Sequence, residues 1–431
     1  MKNSVGKFAK SVLEINLDRI SQNYKILKSY LRKAICGASI KTNAYGIGMM
    51  PVARKLFAEG CNDFFVANLD EALECKKVLS NNNIYSLNRS CDYSLPKVVN
   101  DSVISLNYNE QNFSASGEDG YEKLQNEQVI SITEVIDSKI YSRNPNIYIL
   151  HGVNCIDGAK AAAEMGLTPI ISDLSQLEIW NNYGKKIGKK LAAVLHLETG
   201  MGRLALQKSD ALQISTNSEL ISNVELTYIM SHLSCSDEIN HVMNKEQLNE
   251  MQEYQKMFKN IPVSFSNSGG IFLGEEYHFD LVRPGAALFG IHSCHQKQTP
   301  FLQVVTLKAG ILQKKILEKD QAIGYGATVS AKRGDKIITL ECGYGDGYFR
   351  NLSNLGKGYY NNKELRQIGR VSMDMIIFNA NNLTEEEFNE INYVELLGDN
   401  INVNEVANCA GTIGYEVLTS LGSRYKKVYI G

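Results

Sequence analysis

The feature that most constrains this chain is a repeat: over the first 290 residues or so, a short apolar run is followed again and again by a longer amphipathic one. Residues 12–17 are strand-like, and 17–31 carry helical spacing at Ile20, Tyr24, Leu27 and Leu31. Residues 34–41 and 50–59 repeat the couplet, with Pro51 near the helix start, where a missing N–H costs little. Residues 63–67 and 72–79 repeat it again. Further runs at 146–150, 168–172, 191–197, 225–231, 263–266 and 281–283 each pass into polar residues or glycine. Strand–helix couplets in series predict a parallel sheet. About eight or nine of them in this length suit a (β/α)8 barrel better than an open sheet. In such a barrel the functional residues follow the C-terminal ends of the strands, where Lys41, Arg203, His232, Asn267 and Arg283 fall.

After Pro300 the texture changes. Runs at 303–308, 336–340, 371–379 and 394–397, separated by glycine-containing turns, read as a mainly β domain, with one helix over 403–410. The expected division is 1–295 for the barrel and 296–431 for the β domain. Residues 83–88 (Asn-Ile-Tyr-Ser-Leu-Asn) resemble 146–151 (Asn-Ile-Tyr-Ile-Leu-His), and the stretch between is rich in Ser, Asn, Asp and Glu. It reads as an insertion at about 88–145, tolerated in a surface connection and without a catalytic role, although 103–106 and 129–136 could add strands.

Composition removes several classes of function. A net charge of −2 gives no electrostatic pull towards nucleic acid or an anionic membrane. No run approaches the roughly 20 apolar residues of a membrane span, and Glu14 and Asn16 interrupt the only candidate for a signal-peptide core. The nine cysteines include no Cys-x-x-Cys pair, which fits reduced thiols in a cytoplasm. The seven histidines lack ligand spacing, so no metal is expected.

Chemistry concentrates at strand ends. Lys41 closes an apolar strand in Ser-Ile-Lys-Thr-Asn-Ala-Tyr-Gly, and burial there lowers an amine's pKa. A Schiff-base lysine needs that, because only the neutral amine attacks a carbonyl. A lone lysine at a strand end is usually one snorkelling to solvent. This one shares the barrel mouth with Gly200-Met-Gly-Arg203, Ser231-His232, Ser266-Asn-Ser-Gly-Gly270 and Val282-Arg-Pro-Gly-Ala286. Glycine N–H groups and hydroxyls make a nest for phosphate, and barrels commonly build one after their last two strands.

With these segments in view, the chain resembles the alanine racemase family over all but the inserted residues. The lysine segment, Thr199–Leu204 (Thr-Gly-Met-Gly-Arg-Leu), Val-Arg-Pro-Gly at 282–285, Gly-Tyr-Gly-Ala at 324–327, Gly-Tyr-Gly-Asp-Gly at 343–347, Gly-Arg-Val-Ser-Met-Asp at 369–374 and Gly-Thr-Ile-Gly-Tyr-Glu at 411–416 match its motifs in order. The resemblance implies that Lys41 carries pyridoxal phosphate covalently and, once substrate takes its place, serves as one of two bases. Tyr325 is implied as the other, on the opposite face of the α-carbon, supplied by the partner in a head-to-tail homodimer whose subunits share the site. It implies Arg283 at the pyridine nitrogen, oriented by His232, and Tyr45, Asn267, Ser268, Gly285, Ala286 and Tyr415 around the cofactor. Arg203 is implied beside the cofactor and the substrate carboxylate, with Met373 holding that carboxylate and Tyr344 narrowing the entrance. The implied reaction interconverts L- and D-alanine, an amino-acid racemisation that supplies peptidoglycan synthesis.

There are departures. His196 stands where the family often has a lysine that steadies the arginine, and a neutral His196, or an anion beside it, is expected to orient Arg203 instead. Glu198 replaces a usual Asp, and Ile47 a common His. Two other classes of function share part of this pattern. Barrel decarboxylases of basic amino acids resemble this chain in architecture but place Glu, not Arg, at the pyridine nitrogen. A non-catalytic cofactor carrier would have no use for Tyr325 and Met373.

Overall fold

The computed structural model describes residues 8–80, 144–294 and 300–431. The insertion read at about 88–145 thus lies almost wholly outside the described residues, as do the strands considered at 103–106 and 129–136.

The parallel barrel is present. Its strands are β2 (Ile35–Cys36) with β3 (Ala38–Ser39), β4 (Asp63–Val66), β5 (Asn146–Ile149), β6 (Thr168–Ile171), β7 (Leu191–His196), β8 (Val224–Met230), β9 (Val263–Ser264) and β10 (Leu281–Val282). Strands β2 and β3 are two halves of one strand either side of Gly37. The first half pairs with β10 and the second with β4, so the sheet closes on itself. A side chain at Gly37 would press on the Asp63 and Val282 carbonyls, 3.0 and 3.3 Å from the position of its Cβ. Strands β4 and β6 are buried at every position. Burial on both faces is why they read as unbroken apolar runs rather than alternating ones. Inside the barrel Phe65, Tyr148, Ile170, Val194, Met230 and Leu281 pack together, with Phe65 and Tyr148 stacked at 4.6 Å.

The helices between strands are set by their caps. Asn16 Oδ1 accepts from Arg19 N (2.9 Å) to start Leu17–Ser29, which buries Ile20, Tyr24 and Leu27. Asp173 starts Leu174–Ile187 in the same way, and Gly188 ends it in the left-handed conformation.

The C-terminal part is mainly β. Its sheet runs β14 (Lys336–Leu340), β17 (Ile376–Asn379), β16 (Lys363–Gln367), β15 (Lys357–Tyr360), β18 (Tyr393–Leu397) and β11 (Val305–Ile316), and β11 pairs back to β14 to close a ring. A helix spans Val403–Ala410, where the sequence places one. Of the run 371–379 only Ile376–Asn379 is strand; residues 372–375 turn, with Ser372 N donating to Met375 O (3.1 Å). The hairpin β15–β16 was not read from the sequence. Its tip is Asn361-Asn362, both left-handed (φ 47° and 63°), as both central residues of a type I′ turn must be.

One expectation is corrected. The opening strand β1 (Val12–Asn16) is not part of the barrel series: it lies in the C-terminal sheet between β11 and β19 (Lys426–Ile430). Its residues alternate half-buried and buried, with Glu14 and Asn16 on the open face. That period of two belongs to a sheet with one solvated side, and the sequence displays it.

Candidate active site

Lys41 follows β3 and opens an unusual turn. Thr42, Asn43, Ala44 and Tyr45 all adopt left-handed backbone, with φ of 55°, 52°, 51° and 56°. Each such non-glycine residue costs roughly 1–2 kcal/mol, so the four together store several kcal/mol that neighbours must offset. Ala44 N donates to Ile40 O and Gly46 N to Thr42 O, both at 2.8 Å; Gly48 N reaches Asn43 O (2.9 Å) and Met49 N reaches Asn43 Oδ1 (2.8 Å). Strand β19 adds a brace: Lys427 Nζ donates to Gly46 O (2.8 Å) and Tyr429 Oη to Ile47 O (2.6 Å). Gly48 (φ 120°) is required there, because a Cβ would collide with the Tyr429 hydroxyl. Burial first, then Arg203 and Arg283, lower the Lys41 amine below its ordinary pKa, with Glu71 opposing them. This enriches the neutral, nucleophilic form.

Beside it lies a buried guanidinium. Arg283 donates from Nη1 to Ser264 Oγ (2.7 Å) and from Nη2 to Ser231 O (2.7 Å), with Phe265 O and His232 Nδ1 each 3.3 Å away. Every one of these partners is uncharged. Burial pulls Arg283 down to about 9, leaving it a cation at neutral pH. His232 is pushed well below its ordinary pKa by burial, then by Arg283 and Arg203, and so is neutral. Arginine can only donate, so Nδ1 of His232 accepts and its proton sits on Nε2. Gln247, fully buried, donates to the His232 carbonyl (2.9 Å) and to Thr199 Oγ1 (3.1 Å). Neither Ser264 nor Gln247 was singled out from sequence. Gln247 had a signal, a polar residue on the apolar stripe of Leu248, Met251 and Tyr254.

Arg203 stands exposed in the loop after β7. The longer Glu198 now has a structural reason: Oε1 accepts from Gly200 N (2.6 Å) and Met201 N (2.7 Å), and Oε2 from Gly202 N (3.0 Å), gathering the whole loop. No hydrogen bond joins His196 to Arg203 among the described residues, so the expected direct contact is not made in the single chain. Burial, Arg283 and Arg203 lower His196 to about 4, so its imidazole is neutral.

The third part is a cradle. Ser268 Oγ accepts from Gly285 N (3.0 Å) and Ala287 N (3.2 Å) at the start of the turn Ala286–Phe289. With both acceptor positions used, its own proton is free to be given to an anion. Asn267 Oδ1 accepts from Ser236 Oγ (2.7 Å) and Gly270 N (2.9 Å), which fixes the preceding loop. Tyr45 closes the cradle, its ring 4.7 Å from Phe289 and 5.9 Å from Tyr415. A Cβ at Gly285 would run into the Tyr45 hydroxyl, so only glycine fits. Burial raises both phenols, Tyr415 to about 12, and keeps them protonated donors.

The barrel mouth thus gathers Lys41, Tyr45, Arg203, His232, Asn267, Ser268, Arg283, Gly285 and Ala286, and Tyr415 joins them from the C-terminal helix Gly414–Ser420. The remaining expected residues lie elsewhere in the C-terminal domain. Tyr325, at the tip of the β12–β13 hairpin (Gln321–Ile323, Val329–Ala331), is 72% exposed, and Met373 and Tyr344 are also exposed. Tyr344 and Met373 are held together: Tyr344 N donates to Ser372 O (3.0 Å) and Gly345 N to Met373 O (2.8 Å). Arg424 pins the same two loops through Asp346 (2.6 Å) and Asp374 (2.7 Å). Among the described residues no group of three or more His, Cys, Asp or Glu could hold a metal, and no helix is long and apolar enough to cross a membrane.

An activated amine, a buried cation and a cradle of N–H and O–H donors together suit a phosphorylated carbonyl compound. Comparison with known proteins agrees with this geometry. The family model of the alanine racemase N-terminal domain matches residues 15–293, and that of the C-terminal domain matches 304–429. The alanine racemase of Rickettsia felis is 34% identical, covering 97% of this chain and 99% of its own length. That of Rickettsia canadensis is 36% identical, covering 97% and 98%. Among solved structures, the alanine racemase of Bartonella henselae with covalently bound pyridoxal phosphate superposes with a TM-score of 0.78 at 30% identity, covering 98% of this chain and all of that one. On this evidence the chain belongs to the alanine racemase family and is an amino-acid racemase, an isomerase.

Proposed function

We propose that the protein interconverts L- and D-alanine by a two-base mechanism, with pyridoxal phosphate held in the barrel mouth. The residues fit that cofactor. The cradle offers the Ser268 hydroxyl, the Ala286 N–H and the Tyr45 hydroxyl to a phosphate, and Gly285 leaves no room for a side chain there. Arg283, a buried cation with only neutral partners, suits a ring nitrogen that must stay unprotonated. When bound, pyridoxal phosphate supplies the electron sink that makes an amino acid's α-proton removable.

The protein's own part is binding, orientation and proton transfer. Lys41 Nζ takes or returns the α-proton on one face. The Tyr325 hydroxyl serves the other face from a second copy of the chain, since a single base tends to return the proton to the side it came from. The exposed Tyr325, Met373, Met375 and Tyr344 form the surface that such a homodimer would cover. Arg203 and the Met373 N–H would hold the substrate carboxylate, and Tyr344 would narrow the way in. The neutral His232 fixes the orientation of Arg283 without adding charge. The use implied by the family resemblance is cytoplasmic supply of D-alanine for peptidoglycan.

The observation that carries this reading is the Lys41 amine, presented on a braced left-handed turn and lowered in pKa by burial and by the Arg203 and Arg283 guanidiniums. It is tested by α-deuterium exchange and racemisation from each alanine enantiomer, in wild type, Lys41→Ala and Tyr325→Phe. Loss of racemisation is expected in both variants, with α-deuterium exchange lost from both enantiomers in Lys41→Ala and lost unequally from the two enantiomers in Tyr325→Phe. Exchange without inversion, or release of carbon dioxide, would overturn it.

A further inference from the structure

The helix Leu69–Ser80 begins as capped helices do, with Asn68 Oδ1 accepting from Glu71 N at 3.0 Å. A glutamate at this position ordinarily turns back to the N–H of the capping residue. Glu71 does something else. Its Oε2 accepts from Ala67 N (2.9 Å), just past β4, and its Oε1 crosses to the neighbouring strand's loop and accepts from Asn43 N (3.0 Å). Asn43 is the second residue of the left-handed turn, where an N–H has no carbonyl of the turn behind it to reach. The carboxylate therefore supplies the acceptor that the turn lacks and ties it to the next barrel strand.

We propose that Glu71 is a positioning residue for Lys41: by bridging Asn43 to the end of β4 it holds the left-handed turn that presents the amine. This rests on Lys41 being the cofactor lysine. The charged groups acting on that amine come from several strand ends: Arg203 after β7, Arg283 after β10 and Glu71 after β4, while His232 after β8 is neutral. Burial and the two arginines favour the neutral amine, and Glu71 alone works against them. Geometry and charge are separable by substitution. Glu71→Gln keeps the shape, loses the charge and turns an N–H2 towards an N–H donor. Glu71→Asp keeps the charge but is one methylene too short to span both N–H groups.

The test uses the full chain freed of cofactor. The rate at which it captures pyridoxal phosphate is followed by absorbance as a function of pH, and deuterium exchange is measured in the peptide covering residues 41–48. In Glu71→Gln the midpoint of the pH profile is expected to move down by about half a unit or more, because a nearby negative charge no longer favours the ammonium. Exchange in 41–48 should rise roughly tenfold, as expected for a local opening that loses a charge-assisted hydrogen bond. In Glu71→Asp exchange should rise with the midpoint unmoved, and this variant carries the test if Glu71→Gln does not fold. Asp173→Ala, which removes the cap of a different helix, should lower thermal stability and change neither readout. Wild-type exchange in both Glu71 variants, or equal changes in Asp173→Ala, overturns the proposal. Borohydride trapping with peptide mapping separates the two levels. Label on a lysine other than Lys41 in wild type defeats the underlying reading, whereas label on Lys41 with unaltered Glu71 variants defeats this inference alone.

Discussion

His196 makes the protein sensitive to mild acid, and the size of the effect follows from its surroundings. The imidazole is buried, and burial, Arg283 and Arg203 all disfavour its cation, holding it at about 4 against an ordinary value of 6.5. A base whose folded pKa is depressed leaves stability intact above its unfolded value and removes it as pH falls through the window below. At about pH 5 the unfolded imidazole is about 97% protonated and the folded one only about 10%, so between about pH 7.5 and about pH 5 roughly 2 kcal/mol of stability is lost through this residue. The assay is urea unfolding at those two pH values in wild type and His196→Gln. His232 titrates in the same direction in both proteins and His196 is the least of the influences on it, so the difference between them reports chiefly on His196. The variant should lose about 2 kcal/mol less than wild type on acidification. An identical pH dependence in the two would refute the electrostatic account of the site.

Other consequences can be checked directly. Gly285→Ala pushes a methyl into the Tyr45 hydroxyl and should cost about 1–3 kcal/mol of stability, with faster loss of pyridoxal phosphate on dialysis; adding Tyr45→Phe should recover stability but not cofactor retention. Ser268→Ala orphans the Gly285 and Ala287 N–H groups, worth about 1–3 kcal/mol each when buried, and should weaken inhibition by inorganic phosphate as well as cofactor binding. If Tyr325 serves the partner's Lys41, mixing and re-equilibrating inactive Lys41→Ala and Tyr325→Phe subunits should restore about a quarter of wild-type activity, since half of randomly assorted dimers carry one intact site of two. No recovery in verified mixed dimers would exclude the shared site.

How much of this was readable beforehand varies with the physics involved. The barrel was legible because strands such as Phe64-Phe65-Val66 and Ile147-Tyr148-Ile149 are buried on both faces and leave long apolar marks. Strand β1 was misplaced because its length and position in the series outweighed its alternation, although Glu14 and Asn16 carried the right information. In the candidate site, residues within continuous motifs, Lys41, Arg283 and Ser268 among them, are legible in the sequence because backbone and side chain must both be specified there. Ser264, Gln247 and Glu71 act through hydrogen bonds to residues distant in sequence, which impose no local spacing. The motifs on the C-terminal ring were equally legible, but which barrel they face is a property of assembly, not of one chain's periodicity.

Strand β1 pairs in parallel with β19, Val12 against Lys426, which are 414 residues apart. At about 5–20 residues per second a ribosome needs on the order of 20–80 s between making the two. During that interval the opening strand has no neighbour on that side, and Gly46 and Ile47 lack the donors that Lys427 and Tyr429 later bring. A polypeptide released before β19 could close much of its barrel yet leave the loop bearing Lys41 unbraced. Bracing of the lysine loop thus waits for residues 381 and 382 positions downstream of those they hold.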